Sequence, residues 1–336
     1  MLRPMNIFLI GEAAQHRAVL DSELAGRHEV IALPREAAHS AVHDAAIRPQ
    51  DVVISLRFSR RDAPAPAFRL LHVPGAGLDG IDFDTLPDEC TVCNVYEHEG
   101  PIAEYVCAAM LERETGFAAM SRSFTPEDWS DQYRSRQPHG ELAGKGLALI
   151  GYGRIGQAIA RRAKAFDMQV LAVAPNAADA HGQVDQMLRP AQLLQALNQA
   201  DYVVVVCPLN DTTRGMIAAP ELAQMKQDAV LINVSRAEIV DEHDLYQALS
   251  AQRIGGAVLD VWYQYPKGAD DTVPPSAFAF ADLRNVWCTA HSSAWTRLLP
   301  QRRYRLMARN ILQLALNQPP VNVVRAPAIR TRSTQV

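Results

Sequence analysis

Three glycines, Gly151, Gly153 and Gly156, fall within GYGRIG, between the apolar run LALIG and the helical run RIGQAIARRAKAF. The chemistry this spacing offers is the binding of a pyrophosphate. Gly151 permits a tight strand-to-helix turn, Gly153 lets backbone approach an anion, and Gly156 lets the helix lie close against the strand. The first N–H groups of that helix have no intrahelical partner and can face the phosphate. Such a glycine pattern matches many loops by itself, but here strand, turn and helix stand in the order a dinucleotide site requires. Two further residues follow apolar runs: Arg236 after AVLINV and His291 after NVWCTA. A planar guanidinium can grip a carboxylate bidentately and polarise a neighbouring carbonyl, while an imidazole exchanges a proton near neutral pH. A histidine after a strand is more often structural when taken alone. Paired with an arginine at a similar strand end, it points to catalysis.

The elements that must position these residues can be read from apolar rhythm. The first hundred residues alternate short runs (NIFLIG, EVIAL, DVVISL, RLLHVPG, TVCNV) with polar or helical connectors, the pattern of a parallel sheet. A helix is predicted over 102–117, followed by a polar connector without strong period, SRSFTPEDWSDQYRSRQPHGELAGKG. From Leu147 six further strands alternate with helices, enough for a doubly wound sheet. An amphipathic basic helix over about 295–317 is expected to return to the first domain. The predicted fold is therefore α/β with two doubly wound domains, 1–101 plus 297–336 and an inserted 102–296. The stretch between Tyr265 and Leu283 is long for a simple connection and reads as a lid or a mobile excursion.

Composition narrows the function. The 336 residues are 48% hydrophobic and 21% charged with a net charge of −4, so neither nucleic acid nor an anionic membrane is an expected partner. The apolar run near the N-terminus is too short for a signal segment or a membrane span, and a cytoplasmic location is expected. The five cysteines are odd in number and lie mostly in apolar runs, which suits reduced core thiols. Cys90 and Cys93 form a lone C-x-x-C without a second ligand pair, and no metal site is expected.

Taken in order, GAGLDGID (Gly75 to Asp82), EHEGPIAEYV, ELAGKGLALIGYGRIG, CPLNDTTRGMI (Cys207 to Ile217), INVSRAEIVDEHDL (Ile232 to Leu245), GAVLDVW (Gly256 to Trp262) and TAHSS (Thr289 to Ser293) resemble the D-2-hydroxyacid dehydrogenase family, which includes formate dehydrogenases. The resemblance covers nearly the whole chain. It implies a Rossmann cofactor domain inserted into a flavodoxin-like substrate domain, a homodimer, and hydride transfer between NAD or NADP and a small 2-hydroxy or 2-oxo acid, with domain closure excluding water. It makes Arg236 the carboxylate-binding residue, His291 the proton donor, and the Ala76 and Gly77 amides a nest for the substrate carboxylate. For the cofactor it implies Gly151, Gly153, Arg154, Ile155 and Gly156 at the pyrophosphate, Cys207, Pro208 and Thr213 on the adenine side, and Val234, Ser235, Asp260, His291 and Ser293 near the nicotinamide. Ala174 and Asn176 stand where an acidic residue usually grips the ribose. With Pro175 between them and no adjacent Arg or Lys, the choice of NAD or NADP stays open.

The chain departs from the family at one point. Relatives place a glutamate five residues after the aspartate matching Asp260, and here Tyr265 occupies that position. A phenol is neutral near pH 7 and cannot stabilise an imidazolium as a carboxylate does, so His291 should have a lower pKa than in relatives with the full set. Formate dehydrogenases also lack the glutamate, which keeps two alternatives open: a formate dehydrogenase-like oxidation without proton relay, and a non-catalytic NAD(H)-sensing protein. His98 matches the formate-binding asparagine and reads equally as a substrate contact or a solvated helix cap. Arg57, Arg60 and Arg61 offer a second cationic contact but read better as a solvated loop.

Overall fold

The computed structural model describes residues 5–60, 63–176, 182–266 and 270–327, and the chain divides into two compact units, Met1–Glu97 with Arg297–Val336, and His98–Thr296. The first unit begins with β1 (Asn6–Ile10), α1 (Arg17–Leu24), β2 (Glu29–Leu33), β3 (Val52–Ile54), β4 (Leu70–His72) and β5 (Thr91–Cys93), whose strands pair in parallel in the order β2-β1-β3-β4-β5. These are the five runs legible in the sequence. Their continuous apolar character follows from cover on both faces, since Ile7 and Leu9 enter one core and Phe8 and Ile10 the other.

The second unit opens with α2 (Glu99–Thr115), α3 (Phe117–Ser123) and α4 (Trp129–Ser135). The predicted helix thus starts three residues earlier and ends at Thr115, α3 runs from its predicted end into the polar connector, and α4 lies within that connector, where exposed aromatics give no apolar period. There follow β6 (Gly146–Ile150), α5 (Arg154–Ala165), β7 (Gln169–Val173), β8 (Gln186–Leu188), α6 (Leu193–Gln199), β9 (Tyr202–Val205), α7 (Ala219–Gln224), β10 (Val230–Asn233), α8 (Glu242–Ser250), β11 (Gly256–Leu259) and β12 (Val286–Cys288). All seven strands are parallel, in the order β12-β11-β10-β9-β6-β7-β8. The sequence predicts six; β8 escapes because it is three residues long and begins with exposed Gln186. Alternate residues of β6 serve opposite cores: Leu147 and Leu149 pack with α2 and α5, Ala148 and Ile150 with α6, α7 and α8. Because β7 and β9 flank β6, successive crossovers leave it in opposite directions and open a crevice at its C-terminal end.

The chain returns to the first unit as α9 (Leu299–Ala315), which starts later than the predicted helix because Pro300 suits a first helical turn. Tyr304, Met307, Ala308, Ile311 and Leu314 form its buried stripe against Leu20 and Leu24 of α1, each large side chain contributing about 1.5–3 kcal/mol. A last strand, β13 (Val323–Arg325), pairs antiparallel with β5, an addition that three half-exposed residues do not announce. The long stretch after Tyr265 is described apart from 267–269.

One buried histidine ties α9 to the sheet. His72 Nε2 accepts from Asn310 Nδ2 at 2.9 Å, and burial drives its pKa down to about 4. A neutral imidazole is therefore favoured by folding, and its contribution is complete above the unfolded pKa of 6.5 and lost as pH falls from there toward about 4. Urea unfolding of the wild type should lose about 3 kcal/mol more than His72→Gln over that range. Equal pH slopes for the two proteins would show that His72 does not couple folding to protons.

Candidate active site

The C-terminal ends of β10, β11 and β12 lie side by side, and each leads into one group of the site. At the end of β10, Asn233 is 2% exposed; its Nδ2 donates to the Arg236 carbonyl at 3.0 Å and its Oδ1 accepts from Ser235 N–H at 3.1 Å. These bonds fold the turn that delivers Arg236, whose Nη1 donates to the Ser235 carbonyl at 2.9 Å. Ser235 Oγ also donates to the Cys207 carbonyl, linking this turn to the end of β9.

After β11, Asp260 is fully buried and organises the turn that follows β12. Its Oδ1 accepts from Thr289 Oγ1 at 2.5 Å and from Ser292 N–H at 2.6 Å, and its Oδ2 accepts from Ser293 N–H at 2.9 Å. Thr289 in turn accepts from Tyr105 Oη at 2.7 Å, and its carbonyl takes the Trp262 indole N–H at 2.8 Å. This wrapping holds His291 at φ 54°, a left-handed conformation uncommon for a side chain other than glycine. A carboxylate has about four acceptor sites, so one remains on Oδ2.

Tyr265 reaches this imidazole. Its Oη lies 2.8 Å from His291 Nδ1 and accepts the Trp262 backbone N–H at 3.1 Å. The His291 pKa lies below the usual 6.5: burial lowers it most, Asp260 pulls it back up, and the Arg236 guanidinium pushes it down again. The Tyr265 pKa lies above its usual value, chiefly through burial, with the Trp262 N–H and Arg236 opposing. At neutral pH the pair is thus a phenol beside a neutral imidazole. Arg236 and Asp260 both act electrostatically on Tyr265 and on His291, so the structure brings the four together.

The second part of the site is a cavity of about 320 Å³ in the crevice beyond β6. Gly151, Gly153, Ala174, Asn176, Cys207, Pro208 and Thr213 line it, as do Tyr152, Pro190 and Met216, which sequence spacing does not single out. Gly151 has φ 112°, and a Cβ there would stand 2.6 Å from Cys207 N. At Gly156 a Cβ would meet the Gly151 carbonyl at 2.6 Å, whereas at Gly153 nothing lies within 4 Å. The open space beside Gly153, at the head of α5 with Arg154 and Ile155, fits an approaching pyrophosphate, and the mostly apolar remainder fits an adenosine. Val234 is buried past β10, and neither it nor Ser235, Asp260, His291 or Ser293 lines this cavity.

Other expectations fare unevenly. Ala76 is half-buried and Gly77 exposed on the loop after β4; Asn94 Nδ2 donates to the Ala76 carbonyl at 3.0 Å. His98 is 8% exposed and makes no capping bond, which removes the solvated-cap reading. Arg60 is not solvated either: it is 6% exposed, pairs with Asp44 at 2.8 Å and donates to the Ala37 and Ser40 carbonyls. Arg57 is exposed, and Arg61 lies outside the described residues. Trp262, Thr289, Ser292 and Tyr105 were missed, although the hydroxyl-rich TAHSS run was a legible signal for a turn built on a buried acceptor.

The crevice, its glycine turn and the strand-end cluster define a nucleotide-dependent oxidoreductase. Residues 107–293 match the family model described as D-isomer specific 2-hydroxyacid dehydrogenase, NAD binding domain, and the chain belongs to that family. It is similar to a glycerate dehydrogenase of Methylorubrum extorquens, 34% identical over 238 residues covering 68% of this chain and 70% of that one. It is also 28% identical over 315 residues to a glyoxylate reductase of Pyrococcus furiosus, covering 89% and 88% of the two chains. The crystal structure of D-lactate dehydrogenase with NAD+ from Lactobacillus jensenii has the same fold, with a TM-score of 0.74 at 24% identity over 96% of this chain and 100% of that one. The chain is an NAD(P)-dependent enzyme that moves a hydride between the cofactor and a 2-hydroxy or 2-oxo acid.

Proposed function

We propose that the enzyme reduces small 2-oxo acids of the glyoxylate and hydroxypyruvate type. The observation that carries this reading is the cluster of Arg236, Tyr265 and His291 on adjacent strand ends, held by buried Asp260. The names of similar proteins, glyoxylate reductase and glycerate dehydrogenase, support the choice of a short substrate. In this reading the cofactor, when bound, supplies or accepts the hydride. Arg236 grips the carboxylate and polarises the carbonyl, the Ala76 and Gly77 amides add donors to the carboxylate, and His291 gives a proton to the carbonyl oxygen. His98 lines the substrate side. Gly151, Gly153 and the first turn of α5 hold the pyrophosphate; Val234, Ser235, Asp260 and Ser293 hold the nicotinamide end.

The ribose end favours NADPH. The chain leaves β7 through Ala174, Pro175 and Asn176, without a carboxylate to repel a 2′-phosphate. Arg189 is exposed at the end of β8, whose Leu188 pairs with Val173 of β7. Sequence spacing did not reveal this arginine because β8 was not predicted. Exposed Phe124, Trp129 and Tyr133 form an aromatic surface on and before α4, which supports a second copy as the partner; the free cysteines support a cytoplasmic location.

Initial rates with NADH and NADPH against glyoxylate, hydroxypyruvate, pyruvate and bulkier 2-oxo acids test the reading. The expected result is reduction of the shorter acids, with NADPH preferred about tenfold, as one added phosphate contact gives. No turnover of any 2-oxo acid with either cofactor would overturn it. The missing carboxylate beside His291 favours one second reading, oxidation of formate, which formate and NAD+ or NADP+ test directly.

A further inference from the structure

Tyr265 does something at its position that a carboxylate cannot: it carries a proton at neutral pH. Its oxygen already accepts the Trp262 backbone N–H, and among the described residues the acceptor within reach of its own O–H is His291 Nδ1 at 2.8 Å. The arrangement that satisfies every group has the phenol donating to Nδ1, which places the proton of the neutral imidazole on Nε2. Among the described residues the charged and titratable groups facing this ring are Asp260, Arg236 and Tyr265, Glu238 also acts on the phenol, and the Arg236 cation opposes a second proton on the ring. Asp260 is committed to the turn by three hydrogen bonds.

We propose that Tyr265 and His291 form a two-residue proton relay for reduction, with Tyr265 acting as proton donor through the imidazole. This rests on the reading of His291 as the group that protonates the carbonyl oxygen. The cofactor, when bound, would supply the hydride that forms the new C–H bond at C2 and with it the two electrons that reduce the carbonyl. The carbonyl oxygen takes the Nε2 proton, Nδ1 takes the phenolic proton, and the ring stays neutral. The phenolate left behind is held by the Trp262 N–H and reprotonated by water, which its 42% exposure allows. Proton exchange with solvent returns the ring to its starting tautomer.

The relay differs in pH behaviour from an imidazolium acid. An enzyme that must use the imidazolium loses kcat/KM for reduction about tenfold per pH unit above the histidine pKa, whereas the relay holds a plateau until the phenol titrates. Glyoxylate reduction by the wild type should therefore be level from about pH 6.5 to 8.5, while Tyr265→Phe should fall about 100-fold over that span. Tyr265→Glu should move the falling limb to higher pH by restoring a carboxylate to the imidazole. In substrate-free protein at pH 7.5, ¹⁵N NMR should find the His291 proton on Nε2 in the wild type and shared between the two neutral tautomers in Tyr265→Phe. Parallel pH profiles for wild type and Tyr265→Phe, the mark of a purely structural tyrosine, or a proton on Nδ1 in the wild type would overturn the relay. If no 2-oxo acid is turned over, the proposed function fails, while the NMR measurement still decides the tautomer.

Discussion

Arg236→Ala should lower kcat/KM for the best 2-oxo acid by about 10³-fold, roughly 4 kcal/mol of transition-state stabilisation. The magnitude follows from the loss of two charge-assisted hydrogen bonds to a carboxylate, each about 1.5–3 kcal/mol, in a site shielded on one side by the sheet. Arg236→Lys should recover charge but not the fork, leaving a loss of about 10²-fold. The turn that carries residue 236 is built from Asn233, Ser235 and backbone, so neither variant should disturb the fold or the cofactor cavity. Cofactor titration by fluorescence should give the same Kd for all three proteins. Full activity in Arg236→Ala with every acid tested would remove the guanidinium from the mechanism. Because Arg236 also holds the His291 pKa down, Arg236→Ala should in addition raise that pKa, which an NMR titration of the imidazole reads.

Gly151→Ala should be nearly as damaging, through the cofactor rather than the substrate. A φ of 112° is closed to alanine, and the new Cβ would lie 2.6 Å from Cys207 N and 2.8 Å from Val206 C. These are backbone atoms at the exit of β9, so β6 and β9 must separate at the crevice. Strain and overpacking together should cost about 3 kcal/mol of stability, and cofactor affinity should fall by about 100-fold or more. Gly153→Ala provides the contrast. Its backbone is extended and its Cβ meets nothing within 4 Å, so stability should hold or rise by about 0.5 kcal/mol while affinity still falls. Urea unfolding alongside cofactor titration separates the two. Unchanged affinity in Gly153→Ala would show that the open space beside it is not where the pyrophosphate comes.

Both predictions concern residues that the sequence exposes well, and the reason is physical. A glycine turn between a strand and a helix has few other causes, and residues just past buried parallel strands emerge at the sheet's C-terminal edge, where ligands bind in such folds. What stayed hidden depends on partners far apart in the chain. Arg60 reads as solvent-facing until Asp44 and the Ala37 and Ser40 carbonyls are seen around it. Likewise β8 is too short to show a period and becomes a strand only by pairing with β7, which is how Arg189 comes to follow a strand end beside Val173. That His291 lacks a carboxylate beside it was legible from the identity of residue 265; that burial and Arg236 hold its pKa below 6.5 was not. That Tyr265 would meet Nδ1, with Trp262 fixing the phenol from behind, was not.

The bonds around Asp260 have an evolutionary corollary. They run to a threonine hydroxyl and two main-chain amides, none of which belongs to the residue that touches the imidazole from the other side. Where the ring sits and what it leans on are thus separately encoded, so position 265 can change character while the ring keeps its address. Selection can then retune proton handling by a single codon, and enzymes with dissimilar acid–base habits can descend from one scaffold without rebuilding it.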